Sequence, residues 1–194
     1  MLWWLKARRA HQVLPCALAA YVLLAAAIQD TTALLPSFTT GIDPVPLMLF
    51  VPMPLVAGLM LCLESRLPSA EVTATRQVIA LDTTLILGVV AAANLVSLAA
   101  FAALGSTEAA TTGRNTAFLV GMMLTVRAVV GQPAVMAPVL WLVTVLLFGF
   151  KPGNDPYPWT VLPEPLEARN AAWAAVLTLG LGLVAHHHAS RTSP

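Results

Sequence analysis

The chain has 194 residues, of which 58% are hydrophobic and only 10% are charged, and its formal net charge is +1. Soluble domains carry about 25% charged residues, so this composition excludes an ordinary water-soluble globule and predicts an integral membrane protein. A net charge this small gives no reason to expect a nucleic-acid partner.

Residues 1–12 precede the first apolar run and have the sequence MLWWLKARRAHQ. Their two tryptophans suit the boundary between headgroups and hydrocarbon, and their lysine and two arginines suit anionic headgroups. The pattern is typical of an amphipathic segment that lies on the membrane surface. It is equally typical of a plain, positively charged flank.

Six apolar runs follow, each at or near the length that an α-helix needs to cross the hydrocarbon core. They lack the two-residue alternation and the regular turns of a membrane β-barrel. We therefore predict an all-α, polytopic integral membrane protein with about six transmembrane helices. The transmembrane domain covers residues 13–185, with runs at 13–29, 45–63, 81–104, 116–131, 134–150 and 171–185.

The placement of lysine and arginine predicts the orientation of these helices. If the N-terminus is cytoplasmic, the cytoplasmic pieces hold Lys6, Arg8, Arg9, Arg66, Arg76 and Arg191, while the opposite side holds Arg114, Lys151 and Arg169. This excess favours a cytoplasmic N-terminus. An even number of spans then places both termini in the cytoplasm, with residues 186–194 as a cytoplasmic tail.

Prolines predict the form of the second span and of the outer connections. Pro46, Pro52 and Pro54 should break or kink the second span near its outer half. The outer connections, residues 30–44 and 151–170, are bounded by proline or rich in it, which predicts extended or turned loops.

The longest cytoplasmic connection is residues 64–80. Ser69 can cap a short helix there, with Glu71 in its first turn. Such a helix would offer a docking surface to a cytoplasmic partner, whereas a plain loop would only set the topology. The candidate residues for partner contact are Arg66, Ser69, Glu71, Val72 and Arg76.

Among the polar side chains within the spans or at their ends, Asp82, Asn94 and Arg127 are the candidates for a functional role. We expect Asn94, together with Ser97, to bond to a neighbouring helix. A charge inside a span, such as Arg127, marks function unless the side chain extends to the headgroups. Asp82 is its nearest plausible partner in depth, so Arg127 either pairs with Asp82 or reaches the inner headgroups.

The sequence gives no support for catalysis or for a bound cofactor. It has no GxxxxGK[ST] phosphate-binding loop, no HExxH or GxSxG motif and no CxxC pair. Cys16 and Cys62 lie in apolar runs and behave as small hydrophobic residues. The adjacent histidines at 186–188 point in different directions on a helix and cannot converge on one metal ion. We expect no enzyme activity, no cofactor and no metal, so energy for any work must come from another subunit.

Three stretches carry a family resemblance. Residues 54–77 have the sequence PLVAGLMLCLESRLPSAEVTATRQ, and residues 113–131 have the sequence GRNTAFLVGMMLTVRAVVG, with an Arg-Asn pair at its start. The third stretch is 133–150 with 158–165. Together they resemble the second span with its coupling stretch, the fourth span, and the fifth span with its outer loop in membrane subunits of type-2 ABC exporters. The form that they resemble is the small six-span permease of high-GC Gram-positive bacteria, and the chain lacks the large outer domain of the broader family.

The resemblance implies a multi-pass permease of a bacterial cell membrane. It also implies two partners, which are a cytoplasmic ABC ATPase subunit and a second permease copy or a sister permease. Residues 1–12 would be the elbow helix, and the 64–80 connection would be the coupling helix. The cargo in such systems is an antibiotic, a peptide or an amphiphile. Two other functions stay open: a non-transporting accessory or immunity protein, and a small membrane-embedded enzyme.

Overall fold

In a computed structural model, the chain is described over residues 8–29, 31–39, 41–65, 75–153 and 155–192, and this part is mostly helical. The elements in chain order are α1 Ala10–Ala27, β1 Thr32–Ser37, β2 Gly41–Pro46, α2 Met53–Glu64, α3 Thr75–Leu104, α4 Thr107–Val130, α5 Met136–Phe148 and α6 Arg169–Thr192. Short 3₁₀ helices occupy Leu47–Phe50 and Gln132–Val135.

Successive helices run in alternating directions, so their ends gather at two opposite ends of the bundle. At one end, Arg8 contacts Leu63 at the end of α2 and Asp82 in the early part of α3. We call this the Arg8 end. At the other end, the β1–β2 hairpin lies against the end of α5, where the Phe38 N–H donates to the Leu147 carbonyl at 2.9 Å. We call this the hairpin end.

Three segments of the described chain are long and apolar enough to cross a membrane: Ala10–Ala27, Leu47–Glu64 and Val78–Leu104. This indicates association with a membrane. The helices α4 and α6 have 24 residues each but are less apolar, and α5 is apolar but has only 13 residues. The lower hydropathy of α4 goes together with its burial. Most of this helix packs against other helices, so its small and polar residues lie inside the protein.

Helix ends differ from the predicted boundaries. The helix α3 begins at Thr75, inside the connection predicted at 64–80, and α6 continues to Thr192, through most of the predicted tail. Backbone hydrogen bonding continues past the point where the apolar run stops, so hydropathy places these ends too far inward. The predicted break in the second span is confirmed, because the 3₁₀ helix Leu47–Phe50 gives way to α2 with Pro52 as its N-cap.

The all-α prediction was wrong for residues 32–46, which form an antiparallel hairpin rather than a loop. Ser37 pairs with Gly41 at its tip, where Gly41 adopts a φ of +92° that disfavours other residues. Prolines in both strands hid the strand pattern. They are tolerated here because both strands of a two-stranded sheet are edge strands. The hairpin is held to the helices by Ser37 Oγ, which donates to the Leu147 carbonyl at 3.1 Å.

The turn between α3 and α4 is tight and sets their register. Gly105, with a φ of +71°, ends α3, and the Ser106 hydroxyl accepts a hydrogen bond from the Ala109 N–H at the start of α4. The two helices are therefore antiparallel neighbours. The close approach continues at Gly113, where an added Cβ would collide with Asn94.

The helices α4 and α6 cross with their backbones in direct contact. A Cβ added at Gly121 would collide with the backbone of Thr178 and Leu179, and one added at Gly182 would collide with the backbone of Gly121. Small residues permit this separation, as they do in membrane helix pairs generally. By contrast, a Cβ at Gly180 would meet nothing within 4 Å.

Candidate functional site

A buried ion pair joins the segment before α1 to α3 at the Arg8 end. Arg8 Nη2 lies 2.8 Å from Asp82 Oδ2, and both side chains are 2% exposed. Arg8 Nη1 also donates to the Leu63 carbonyl at 2.8 Å. Each charge lost its water on burial, so the pair is sustained by its short, charge-assisted hydrogen bonds.

The Leu63 carbonyl accepts a second guanidinium, because Arg127 Nη2 donates to it at 3.0 Å. Leu63 lies in the last turn of α2, where carbonyls have no partner within the helix and cations are favoured by the helix dipole. One backbone oxygen therefore connects the segment before α1 with α2 and α4. Through Asp82, the same junction includes α3. We call the group Arg8, Leu63, Asp82 and Arg127 the Leu63 junction.

A cavity of about 270 Å³ adjoins the Leu63 junction between α2, α4 and α6. Its polar lining comes from Glu64, Arg127, His186 and Ser190, with Gln132 at the edge. His186 is 4% exposed, and Glu64 Oε1 is shielded from solvent. The cavity presents a carboxylate, a guanidinium and an imidazole to a small polar ligand.

The histidine triplet lies on a continuous helix, and its members differ in environment. His186 is buried at the cavity, whereas His187 and His188 are exposed. This agrees with the argument that adjacent helical residues point in different directions. Within the described residues, no three His, Cys, Asp or Glu side chains lie together in a way that could hold a metal ion.

A network of hydroxyl groups lies inside the bundle between α1, α3 and α4. Tyr21 Oη donates to Thr112 Oγ1 at 2.8 Å and lies 3.0 Å from Ser97 Oγ, and the last two oxygens are 2.7 Å apart. All three residues are at most 2% exposed. Ser97 thus bonds to neighbouring helices as predicted, while the predicted Asn94 uses its amide on the Val90 carbonyl of its own helix.

The Arg-Asn pair at the start of the fourth predicted span organises the hairpin end. Arg114 donates to the carbonyls of Val161, Glu164 and Pro165 at 2.6–3.1 Å. Asn115 Nδ2 donates to the Leu162 carbonyl at 2.9 Å. Within residues 161–165, four carbonyls therefore accept hydrogen bonds from two side chains of α4. These bonds satisfy backbone groups that have no helix or sheet partners.

The predicted site residues have different outcomes. Arg66, Ser69, Glu71 and Val72 lie outside the described residues, and Arg76 lies in the first turn of α3, where its side chain is not described. The intramembrane set is described in full: Asp82 is paired with Arg8, Asn94 bonds within α3, and Arg127 reaches the Leu63 carbonyl.

Sequence analysis missed the roles of Arg8, Glu64 and His186. The sequence pattern indicates only a flanking charge at Arg8 and only a polar tail at His186. The available signal was that Asp82, at the end of an apolar run, needs a cation. No sequence signal indicates that Glu64 of α2 and His186 of α6 line the same cavity. Comparison with protein-family models, with curated proteins and with solved structures finds no match.

Proposed function

We propose that the protein is the membrane-spanning permease subunit of an ATP-driven exporter of a bacterial cell membrane. Its helices α1–α6 are the six spans, with the Arg8 end in the cytoplasm. A separate cytoplasmic subunit hydrolyses ATP, and a second permease copy or a sister permease completes the path. The cargo class is an antibiotic, a peptide or an amphiphile.

The observation that carries this proposal is the position of the Leu63 junction. It directly precedes the 64–80 connection, which the family resemblance assigns to contact with the ATPase. Arg8 and Arg127 donate to the Leu63 carbonyl, and Arg8 also bonds to Asp82. A displacement of the connection therefore acts at one point on the segment before α1 and on α2, α3 and α4.

The chemistry of the Leu63 junction suits the transmission of a movement from the connection to the helices. Its bonds are charge-assisted and largely buried, so they are shorter and stronger than neutral hydrogen bonds. They join the segment before α1 and the helices α2, α3 and α4 to one another at one end of the bundle. The absence of a phosphate-binding loop from the sequence agrees with the assignment of ATP hydrolysis to another chain.

The test is purification of the full chain, tagged at its C-terminus, from the membranes of its source organism in a mild detergent. We expect an ATPase with a phosphate-binding loop to co-purify in stoichiometric amount. The reconstituted complex should hydrolyse ATP, and an alanine at the lysine of that loop should abolish turnover. If no ATPase accompanies the chain, the exporter proposal gives way to the accessory-protein alternative.

A further inference from the structure

An apolar groove of about 510 Å³ runs between α1, α2 and α3. Residues 10–18 of α1, Leu55 of α2 and residues 81–92 of α3 contribute its walls. Thr84 is its one hydroxyl-bearing residue, and that hydroxyl donates to the Ala80 carbonyl of its own helix at 2.8 Å. The groove therefore offers a ligand apolar contact only.

The depth of the groove matches one leaflet of a bilayer. Its three helices belong to the three segments that are long and apolar enough to cross a membrane, so the groove lies in the hydrocarbon layer. From Leu81 to Ala92 it extends about 16 Å along α3 at 1.5 Å per residue. Half of a hydrocarbon core of about 30 Å is about 15 Å.

The mouth of the groove at the Arg8 end carries positive charge. Asp82, next to the groove residue Leu81, is paired with Arg8. Arg9 and His11, on either side of the groove residue Ala10, are both exposed. A ligand that fills the groove and places its polar end at this end of α1 would have the exposed Arg9 guanidinium nearby, which favours an anion.

We propose that this groove binds one acyl chain of an anionic phospholipid from the leaflet at the Arg8 end, with the headgroup beside Arg9 and His11. The match of groove depth to one leaflet and the charge at its mouth both point to this occupant. The proposal needs only that the three apolar segments lie in a bilayer, so it is independent of the exporter proposal.

Gly88 lines the groove, and a Cβ added there would meet nothing within 4 Å, so a larger side chain can be introduced from this position. The full chain would be purified in detergent, incubated with equal amounts of phosphatidylglycerol and phosphatidylcholine, and examined by native mass spectrometry. The wild type should retain phosphatidylglycerol selectively. Gly88→Phe should lose most of this bound lipid, whereas the matched variant Gly180→Phe, which also enters open space, should retain it.

The proposed contact between Arg9 and the lipid headgroup is tested by a separate substitution. Arg9→Gln should lower the preference for phosphatidylglycerol about fivefold, the effect of one basic residue near a membrane surface, and Arg9→Lys should keep it. Equal retention of the two lipids by the wild type would overturn the proposal. So would undiminished lipid binding by Gly88→Phe, or a wild-type dimer that this variant dissociates, because a second copy would then cover the groove.

A measurement without substitution covers the case in which Gly88→Phe does not fold. Phosphatidylglycerol with a photoreactive group in its acyl chain would be cross-linked to the wild-type chain in nanodiscs, and the labelled peptides would be sequenced. Labels should concentrate on residues 10–18 and 81–92. Labels spread evenly over the apolar surface, including α6, would show that no site for the chain exists there.

Discussion

The carboxylate of Asp82 accepts a hydrogen bond from Arg8 Nη2 at 2.8 Å, across 74 residues of sequence. The pair is buried, and the sequence pattern did not link its two members. Because a buried charge is tolerated only beside its partner, substitutions at this pair test the fold directly.

Removing one member of the pair should be far worse than removing both. Arg8→Met or Asp82→Leu should each lower the free energy of unfolding by about 3–5 kcal/mol, because each leaves a buried charge uncompensated. The double variant Arg8→Met with Asp82→Leu should recover most of the loss. Urea or SDS titration in detergent measures it, with the exposed Arg9→Gln as the control at no more than about 0.5 kcal/mol. Additive losses would show that the pair is not coupled.

The hydroxyl network inside the bundle should also contribute to stability. Tyr21→Phe removes the hydroxyl that donates to Thr112 and should cost about 1–2 kcal/mol. The matched control is Tyr157→Phe, since Tyr157 donates no hydroxyl hydrogen bond within the described residues and keeps its ring against Trp159. Equal effects of the two substitutions on the unfolding midpoint would contradict a network of this strength.

A single methyl group added at the crossing of α4 and α6 should destabilise the protein. Gly121→Ala and Gly182→Ala should each destabilise the protein by about 1–3 kcal/mol through overpacking. Gly180→Ala, two residues away in sequence, should be neutral or stabilising by up to about 1 kcal/mol, because alanine is the better helix former. Thermal unfolding followed by circular dichroism in detergent compares the three, and a destabilised Gly180 variant would place the crossing elsewhere.

Under the exporter proposal, the connection before α3 transmits the work of the ATPase. Replacing Glu71 and Val72 together with alanine should weaken binding of the ATPase or uncouple ATP hydrolysis from export. Membrane insertion should be unharmed, because neither residue lies in a proposed span. Co-purification and ATP turnover in liposomes are the measurements. A double variant with wild-type stimulation and export would show that the connection only sets topology.

The proposed orientation can be checked by cysteine labelling. In a background without Cys16 and Cys62, single cysteines at Thr40 and Asp155 should react with an impermeant thiol reagent added to intact cells. Cysteines at Ser69 and Ser193 should react only after the cells are opened. Labelling at Ser69 from outside would invert the topology and remove the ATPase contact from the proposal.

The positions of the helices could be predicted from sequence because hydropathy depends on each residue's own chemistry. Every described helix overlaps a predicted run, and the break at Pro52 follows from the missing N–H of proline. The extension of α6 through His186 could not be predicted in this way. A helix continues wherever its backbone bonds are satisfied, including beyond the apolar run.

The partners of the buried charges depend on the tertiary fold and therefore could not be predicted from the sequence. The sequence offers ten lysines and arginines, and depth along the spans pointed to Arg127 as the partner of Asp82. The fold brings Arg8 to Asp82 and directs Arg127 to the Leu63 carbonyl. Local pattern carries no information on which of several cations the fold brings next to a given carboxylate.

Direct backbone contact between Gly121 and Gly182 has a mechanical consequence. Most helix pairs are separated by a layer of side chains, and that layer can slide or change rotamers when the helices shift. Here the layer is absent at the crossing, so α4 and α6 form one stiff double rod. We therefore expect a rearrangement of the bundle to move this rod as a unit against α1 and α2, where side chains separate the helices.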